Sequence, residues 1–327
     1  MRFYRLSCAA LCASLAGPAL AVDGVREINN VCATTTGCFA GDTAGFPVTI
    51  TTSGSYRLTG NLTLGSPSID AVLVSAADVS IDLNGFAITG ITVCSGNPTS
   101  CVNPGSGRGV ASSGALVRGL TVRNGVVSQM GGNGIYVGEG GQVLDVRLFS
   151  NGGYGVEAGV RAQILRCKVE RNGQGGIFAI SDAIIADNSV AFAGGLVAGI
   201  QASGGIIRDN VVVDGAAGGI DGSGGALIAD NLVRDNAGAS ITAGIYSTVS
   251  GNTIVSRPGG GHGIDAADGT RIFGNTITMQ AFSGFAITTG SQSGYADNVI
   301  RSSNAAPWIN GGFDLGGNLC NGATLCP

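Results

Sequence analysis

The sequence has few charged and few aromatic residues, and it contains one histidine and one tryptophan. Charged side chains make up 12% of the 327 residues, and the formal net charge is −4. Lys168 is the only lysine, and no segment concentrates arginines into the basic stripe that a nucleic-acid-binding protein needs. Beyond the first 21 residues, no apolar run is long enough to predict a helix that spans a bilayer. We therefore expect neither a nucleic-acid partner nor a membrane span in the mature chain.

Glycine, in contrast, is abundant, with 58 residues in the chain. The glycines follow no Gly-X-Y period and only 8 prolines accompany them, which excludes a collagen helix. Apolar residues account for 44% of the sequence, more than a disordered chain carries. This combination indicates many short apolar strands separated by tight turns.

The first 21 residues have the features of a secretory signal peptide. Arg2 and Arg5 give a basic start, an apolar core covers 6–15, and residues 19–21 form a small-x-small cleavage site. The mature chain is then expected to begin at Val22, in the periplasm or outside the cell.

Cysteine spacing agrees with export. Six of the seven cysteines that follow the signal peptide form three close pairs: Cys32 with Cys38, Cys94 with Cys101, and Cys320 with Cys326. In an exported protein such pairs predict small disulfide loops. No second Cys or His cluster accompanies any pair, so no metal site is predicted. Cys167 is left without a partner.

Two landmarks recur at intervals of about 21 residues, the length that a repeated structural unit requires. The first is a glycine followed by an apolar residue, at Gly134, Gly155, Gly176, Gly199, Gly219, Gly244, Gly263 and Gly284. The second is an asparagine shortly before Val or Ile, at Asn188, Asn210, Asn231, Asn252, Asn275 and Asn298, and Cys167 occupies the same phase one repeat earlier. Asparagine amides at equivalent turns can hydrogen-bond along a stack, so we expect a structural ladder. Cys167, in the same row, is expected to be a buried free thiol.

Short β-branched segments lie between the landmarks, and nothing resembles a helix of ten residues or more. A fixed return of about 21 residues predicts a coil of three short strands, each paired with its equivalent one coil above. The fold class is therefore an all-β, single-stranded parallel β-helix of about ten coils with capped ends. We expect an N-terminal cap at 22–53, the β-helix at 54–303 with a lateral loop at about 92–109, and a C-terminal cap at 304–327.

This repeat resembles that of the right-handed parallel β-helix proteins of the pectin-lyase-like superfamily, over about residues 45–303. The segments Gly54–Thr63 and Val79–Ile88 resemble the opening segments of bacterial members. The resemblance implies the fold and not an activity, because one fold hosts many functions. The segment 261–263 is Gly-His-Gly, as in polygalacturonases, but their Asn-Thr-Asp and paired-Asp motifs are absent. His262 also lies at a position that varies from repeat to repeat.

Strand alternation predicts one outward row of mixed aromatic and polar side chains. Its candidate ligand-binding residues are Tyr136, Glu157, Phe178, Gln201, Asp221, Tyr246 and Asp265, and the row continues to Ala286. Flat rings can stack on sugars and polar groups can bind their hydroxyls. Asp221 and Asp265 are the candidate catalytic residues, since acids two coils apart have backbones about 10 Å apart. Inverting glycosidases hold their carboxyls about 6.5–9.5 Å apart.

Three functions remain open at this point. The first is a non-catalytic carbohydrate-binding or surface-interaction scaffold, with a polysaccharide or a cell-surface glycan as partner. The second is a polysaccharide-active enzyme (lyase, glycoside hydrolase or epimerase) that uses the outward row. The third is a structural component of the envelope. No cofactor is identified, and calcium is implied only for a lyase.

Overall fold

The structure is a computed structural model that describes residues 24–281, 283–324 and 326. The predicted signal peptide, residues 1–21, and the predicted mature start at Val22 lie outside this part of the chain. Within these residues, no helix has both the length and the apolar character needed to cross a bilayer.

The described chain winds into about twelve coils, and successive coils pair through parallel strands. One sheet, which we call face 1, takes one strand from each coil: Val48–Ile50, Val72–Val74, Val110–Ser112, Ile135–Val137, Tyr154–Ala158, Gly175–Ser181, Ile200–Ser203, Ile220–Ser223, Ile241–Ala243, Ile264–Ala266, Ile287–Thr289 and Ile309–Asn310. Each strand pairs in parallel with the next in this order.

A second, 23-stranded sheet supplies the other two sides of each coil. The side that follows face 1 along the chain is face 2: Arg26–Ile28, Gly54–Leu58, Val79–Asp82, Thr121–Ser128, Gln142–Phe149, Gln163–Leu165, Ile184–Ala186, Ile206–Arg208, Leu227–Ala229, Thr248–Ser250, Arg271–Phe273, Gly294–Ala296 and Phe313–Asp314. Face 3 begins with Leu62–Thr63 and Ala87–Thr89 and takes the second halves of the two eight-residue strands. It continues with Lys168–Glu170, Ser189–Ala191, Val211–Val213, Leu232–Arg234, Thr253–Val255, Thr276–Met279, Val299–Ser302 and Leu319–Cys320.

Columns of aliphatic side chains fill the space between the three faces. On face 1 the inward residue of each coil pairs with its equivalent, as Ile200 does with Ile220 and Ile220 with Ile241, and all three are fully buried. Burying such a side chain contributes about 1.5–3 kcal/mol. A short strand can therefore be held by one or two inward residues, which explains why three-residue strands suffice.

The glycine of the first landmark has a packing role. At Gly155 and Gly176 an added Cβ atom would lie 2.3 Å from a Cγ1 atom of the core valines Val169 and Val190. No real Cβ atom is tolerated at that distance, because interiors are packed to crystal-like density. The landmark therefore marks where the chain turns from face 3 into face 1 against the core.

The asparagine series forms a buried hydrogen-bond ladder at the corner between faces 2 and 3. The backbone N–H and the Nδ2 of Asn188 both donate to Oδ1 of Asn210, each at 3.0 Å. Nδ2 of Asn188 also donates to the carbonyl oxygen of Ile164 at 2.9 Å. The same pattern continues from Asn210 to Asn298 and one coil further, to Asn318. The ladder thus satisfies buried amides that no strand pairing reaches.

Cys167 takes the first place in this ladder. Its backbone N–H donates to Oδ1 of Asn188 at 2.9 Å, while its side chain is 2% exposed. Burial raises the pKa of the thiol to about 12. Cys167 is the free cysteine of the described chain, and the three predicted disulfides join Cys32 to Cys38, Cys94 to Cys101 and Cys320 to Cys326.

The stack extends beyond the bounds 54–303 expected from the sequence. Arg26–Ile28 pairs in parallel with Tyr56–Leu58, and Phe313–Asp314 and Leu319–Cys320 continue the sheet at the other end. The segments expected to be caps therefore contribute coils, which is why there are about twelve and not ten. A true end cover is the helix Asn30–Thr35, where Oδ1 of Asn30 accepts the N–H of Thr63.

The predicted lateral loop is an antiparallel hairpin of Val93–Ser95 with Ser100–Val102, closed by the Cys94–Cys101 disulfide. It folds against later coils, since Oγ1 of Thr99 donates to the carbonyl oxygen of Phe192 at 2.6 Å. The hairpin therefore lies against the corner between faces 3 and 1 and leaves the middle of face 1 uncovered.

The ladder predicts a large effect of its central amide on stability. Replacing Asn231 by Ala leaves the backbone N–H of Asn210 without an acceptor and removes one of the acceptors of its Nδ2, and a buried unsatisfied donor costs about 1–3 kcal/mol. We expect Asn231→Ala to lower the free energy of unfolding in guanidinium by ~2 kcal/mol or more. Thr253→Ala, an exposed position on face 3, is the control and should cost less than ~1 kcal/mol. If the two substitutions lowered the free energy of unfolding equally, the ladder would not be the cause of the loss.

The burial of Cys167 predicts resistance to alkylation. At pH 8 the native protein should not react with iodoacetamide at Cys167, whereas the unfolded protein should react fully, as read by mass spectrometry of the peptide. The folded-state pKa lies above the unfolded value of about 8.5. The stability that the neutral thiol contributes is thus complete below about pH 8.5 and is lost as the pH rises toward 12. Rapid labelling of the native thiol would contradict this prediction and show that the corner between faces 2 and 3 opens in the folded protein.

Candidate functional site

The register of face 1 defines an outward row that runs the length of the rod. Its members, paired coil to coil, are Thr49, Leu73, Ala111, Tyr136, Glu157, Phe178, Gln201, Asp221, Thr242, Asp265, Thr288 and Asn310. From Tyr136 to Thr288 these side chains are half-buried. Six of the seven candidate binding residues thus lie side by side on one surface.

Tyr246 is the exception, and its place in the row was predicted wrongly. Thr242 stands between Asp221 and Asp265, while Tyr246 lies at the corner between faces 1 and 2 with a φ of 58° and 74% exposure. The landmark at Gly244 is a coincidence, because the inward residue of that coil is Ile241 and Ile245 is exposed. The predicted register is also shifted in the coil of Ala286. This residue was expected to face outward but is buried, and Thr288 faces outward in its place.

A polar and aromatic cluster surrounds Tyr136. The guanidinium carbon of Arg108 lies 5.3 Å from the Tyr136 ring centroid, and Arg108 is held by an ion pair of 3.0 Å with Asp70. Nδ2 of Asn133 donates to the carboxylate of Glu157. Burial raises the pKa of the Tyr136 hydroxyl and the Glu157 carboxylate raises it further, while Arg108 lowers it. The phenol therefore stays neutral, and its ring remains half-exposed beside a carboxylate.

One coil further, two aromatic rings stack on the surface. The ring centroids of Tyr154 and Phe178 are 5.5 Å apart with an interplanar angle of 30°. Tyr154 is positioned by its backbone N–H, which donates to Oδ1 of Asn133 at 2.8 Å. Burial, and then the charge of Glu157, raises the pKa of the Tyr154 hydroxyl. The pair forms an apolar platform flanked by a carboxylate.

The middle of the row carries the two candidate catalytic carboxyls. Asp221 accepts from Nε2 of Gln201 at 3.4 Å and from Oγ of Ser223 at 3.3 Å. Burial raises the pKa of the Asp221 carboxyl, against the lowering effect of these two hydrogen bonds. Asp265 lies two coils away, across Thr242, and accepts no hydrogen bond from any residue the structure describes.

A second ring pair lies near the C-terminal end of face 1. The rings of His262 and Phe285 have centroids 5.8 Å apart and an interplanar angle of 16°. The backbone N–H of Phe285 donates to Nδ1 of His262 at 3.0 Å, which orients the imidazole. Together with Trp308 these rings line a cavity of about 320 Å³ that opens beside the row. His262, explained from the sequence by its place in the repeat alone, is thus also part of an aromatic surface.

Sequence reasoning missed the aromatic residues that flank the row. Tyr154, His262 and Phe285 each lie two residues before the inward residue of their strand. That position was recognised as variable, but the slipped register placed Ser283 there instead of Phe285. If the repeats had been aligned on the Asn series, Tyr154, His262 and Phe285 would have fallen at the same position of the coil.

The described residues offer no ready site for a metal ion. Nowhere in them do three or more His, Cys, Asp or Glu side chains come together as a possible ligand set. What the arrangement offers is stacking platforms, hydrogen-bond acceptors and one carboxyl of raised pKa.

Comparisons with known proteins agree with the observed architecture. The family model described as "Right handed beta helix region" matches residues 109–254. The crystal structure of the Dettilon tailspike protein superposes with a TM-score of 0.50 at 16% identity, covering 90% of this chain and 61% of that chain. A periplasmic alginate epimerase, AlgG, crystallised as a double mutant, gives a TM-score of 0.55 at 12% identity, covering 81% of this chain and 75% of that one. This chain spans only about three fifths of the tailspike chain. No curated protein matches the sequence.

Identities this low establish the fold and leave the activity open. The family match covers the coils that contain Tyr136, Glu157, Phe178 and Asp221. The chain folds as a right-handed parallel β-helix, and residues 109–254 match the family model of that description.

Proposed function

We propose that face 1 binds an extended extracellular polysaccharide, and that the protein acts after export as a non-catalytic binding rod. The observation that carries this proposal is the recurrence of stacked rings along face 1: Tyr154, which flanks the row, stacks on Phe178 within it, and His262 stacks on Phe285 beside it. Sugar rings present apolar C–H faces that pack on aromatic rings, and their hydroxyls need acceptors at the rim. Glu157, Asp221 and Asp265 supply such acceptors on the same surface.

The geometry of the rod suits a polymer better than a small ligand. Each coil advances by about 4.8 Å, so the row offers one outward side chain at a repeat comparable to one sugar residue. Individually weak contacts then add along one chain, because each contact raises the effective concentration for the next. The tailspike and the alginate epimerase are consistent with a polysaccharide partner, although the likeness to them is one of fold.

Export is part of this proposal. Disulfides persist in oxidising compartments, and this chain closes three of them. Together with the signal peptide predicted at 1–21, they support a periplasmic or extracellular location, where polysaccharides are accessible.

Removing the platform rings should weaken polysaccharide binding. We expect Tyr154→Ala and Phe178→Ala each to lower affinity about tenfold, equivalent to ~1.4 kcal/mol, in affinity electrophoresis against a panel of soluble polysaccharides. Tyr246→Ala is the matched control, since this tyrosine is more exposed but lies off the row. Loss of binding in all three variants alike, or in none, would refute the site.

Asp221 favours a second candidate, a glycoside hydrolase. A half-buried carboxyl of raised pKa is suited to donate a proton to a leaving group, and Asp265 would then activate water from two coils away. Their backbones, about 10 Å apart, are compatible with an inverting pair.

This candidate predicts release of reducing ends from a bound polymer, falling as the pH rises through the raised pKa of Asp221, because the acid must be protonated. Asp221→Asn and Asp265→Asn should each abolish release, while Asp209→Asn, an exposed acid on another corner, should not. Parallel assays for unsaturated products with and without calcium separate hydrolysis from a lyase reaction. Unchanged rates in the first two variants would eliminate this pair.

A further inference from the structure

We infer that the polysaccharide bound by face 1 is uncharged, and not a polyuronate. This inference rests on the proposed function and adds the chemical class of the ligand. It follows from the charges that the register brings onto the face.

The outward row carries three carboxylates and no basic side chain along its whole described length. Glu157, Asp221 and Asp265 are its ionisable members apart from Tyr136. A polymer that follows the row therefore meets negative charge at several coils and positive charge at none.

The positions that border the row do not compensate for this charge. Two residues before each inward residue, from the third strand onward, the chain carries Arg108, Asn133, Tyr154, Gly175, Ala198, Gly218, Ala239, His262, Phe285 and Pro307. Arg108 is the one guanidinium among them, and Asp70 holds it at hydrogen-bond distance through both Nε and Nη2. A bound carboxylate would have to compete with Asp70 for this arginine.

The hydrogen-bonding capacity of the row also favours a neutral sugar over a uronate. An ionised carboxylate only accepts hydrogen bonds and has about four lone-pair positions. Glu157 accepts from Asn133, Asp221 accepts from Gln201 and Ser223, and Asp265 accepts from no described residue. All three thus have acceptors to spare, which the hydroxyls of a neutral sugar can satisfy by donating. A uronate residue would bring a further carboxylate to the same half-buried surface, where repulsion is less screened than in bulk water.

The experiment compares two classes of polymer on the full-length exported protein. Binding to galactomannan, soluble starch and hydroxyethylcellulose is measured beside binding to alginate and polygalacturonate, at low and at high ionic strength. We expect at least one neutral polymer to bind, and both polyuronates to bind at least tenfold more weakly at low ionic strength. Salt should narrow this difference, because it screens the repulsion.

Two triple variants that remove the same number of charges test whether the carboxylates of the row cause the weaker binding of polyuronates. Glu157→Gln, Asp221→Asn and Asp265→Asn together should raise polyuronate affinity severalfold. The control triple, Asp187→Asn, Asp209→Asn and Asp230→Asn, removes equal charge from exposed positions at another corner and should leave it unchanged. Circular dichroism verifies the fold of both, and Glu157→Gln alone serves if the first triple does not fold.

The outcomes separate this inference from the proposed function. If polyuronates bind as tightly as neutral polymers and Phe178→Ala weakens that binding, the function holds and the charge class is wrong. If no polymer binds, or if binding ignores both Tyr154→Ala and Phe178→Ala, the proposed function fails and the inference fails with it.

Discussion

The rod depends on the hydrogen bonds that pass from each coil to its equivalent in the next. Strand pairing supplies most of them, but the corners between faces 2 and 3 would otherwise leave amides buried without partners. The asparagine ladder solves this problem, because each Oδ1 accepts both a backbone N–H and a side-chain Nδ2 from the preceding coil. An amide is suited to this place since it both donates and accepts, so identical residues can repeat without a mismatch. The ladder therefore fixes which residue of one coil lies over which residue of the next.

How much of the structure can be predicted from the sequence depends on how well the repeat reveals this register. The coil and most of the row follow from two landmarks that repeat at similar spacing, and the disulfides follow from the close spacing of the cysteines. The error at Tyr246 arose because a glycine followed by an isoleucine also occurs at the corner between faces 1 and 2. The packing of the two kinds of glycine differs. An added Cβ atom would meet a core valine at Gly155, Gly176 or Gly219, whereas at Gly244 it would meet the backbone of Gly224, and the following Ile245 is exposed. The contribution of Asn318, and the strands outside 54–303, went unseen because those coils carry too little of either landmark.

Constraints on the two sides of each strand are unequal. Inward positions accept only aliphatic residues of suitable volume, since the columns are fully buried. Outward positions of face 1 have no such requirement, and they hold Tyr, Glu, Phe, Gln, Asp and Thr in successive coils. This freedom is why proteins of 12–16% identity can share the fold with this chain and why the fold alone does not name a ligand.

Coil length explains why the row is not uniform along the rod. Between Asn188 and Asn252 the ladder steps are 21 or 22 residues, but the next two steps are 23. Because the ladder and the strands hold the register, the added residues must leave the stack in the segments between faces 3 and 1. In these two coils the segments between faces 3 and 1 carry His262 and Phe285, which border face 1. Together with Trp308, these two residues line a cavity at the edge of the otherwise flat sheet. The regular part of the rod thus has an open platform at Tyr154 and Phe178, and its longer coils have a lined cleft, so one register produces both kinds of surface on face 1.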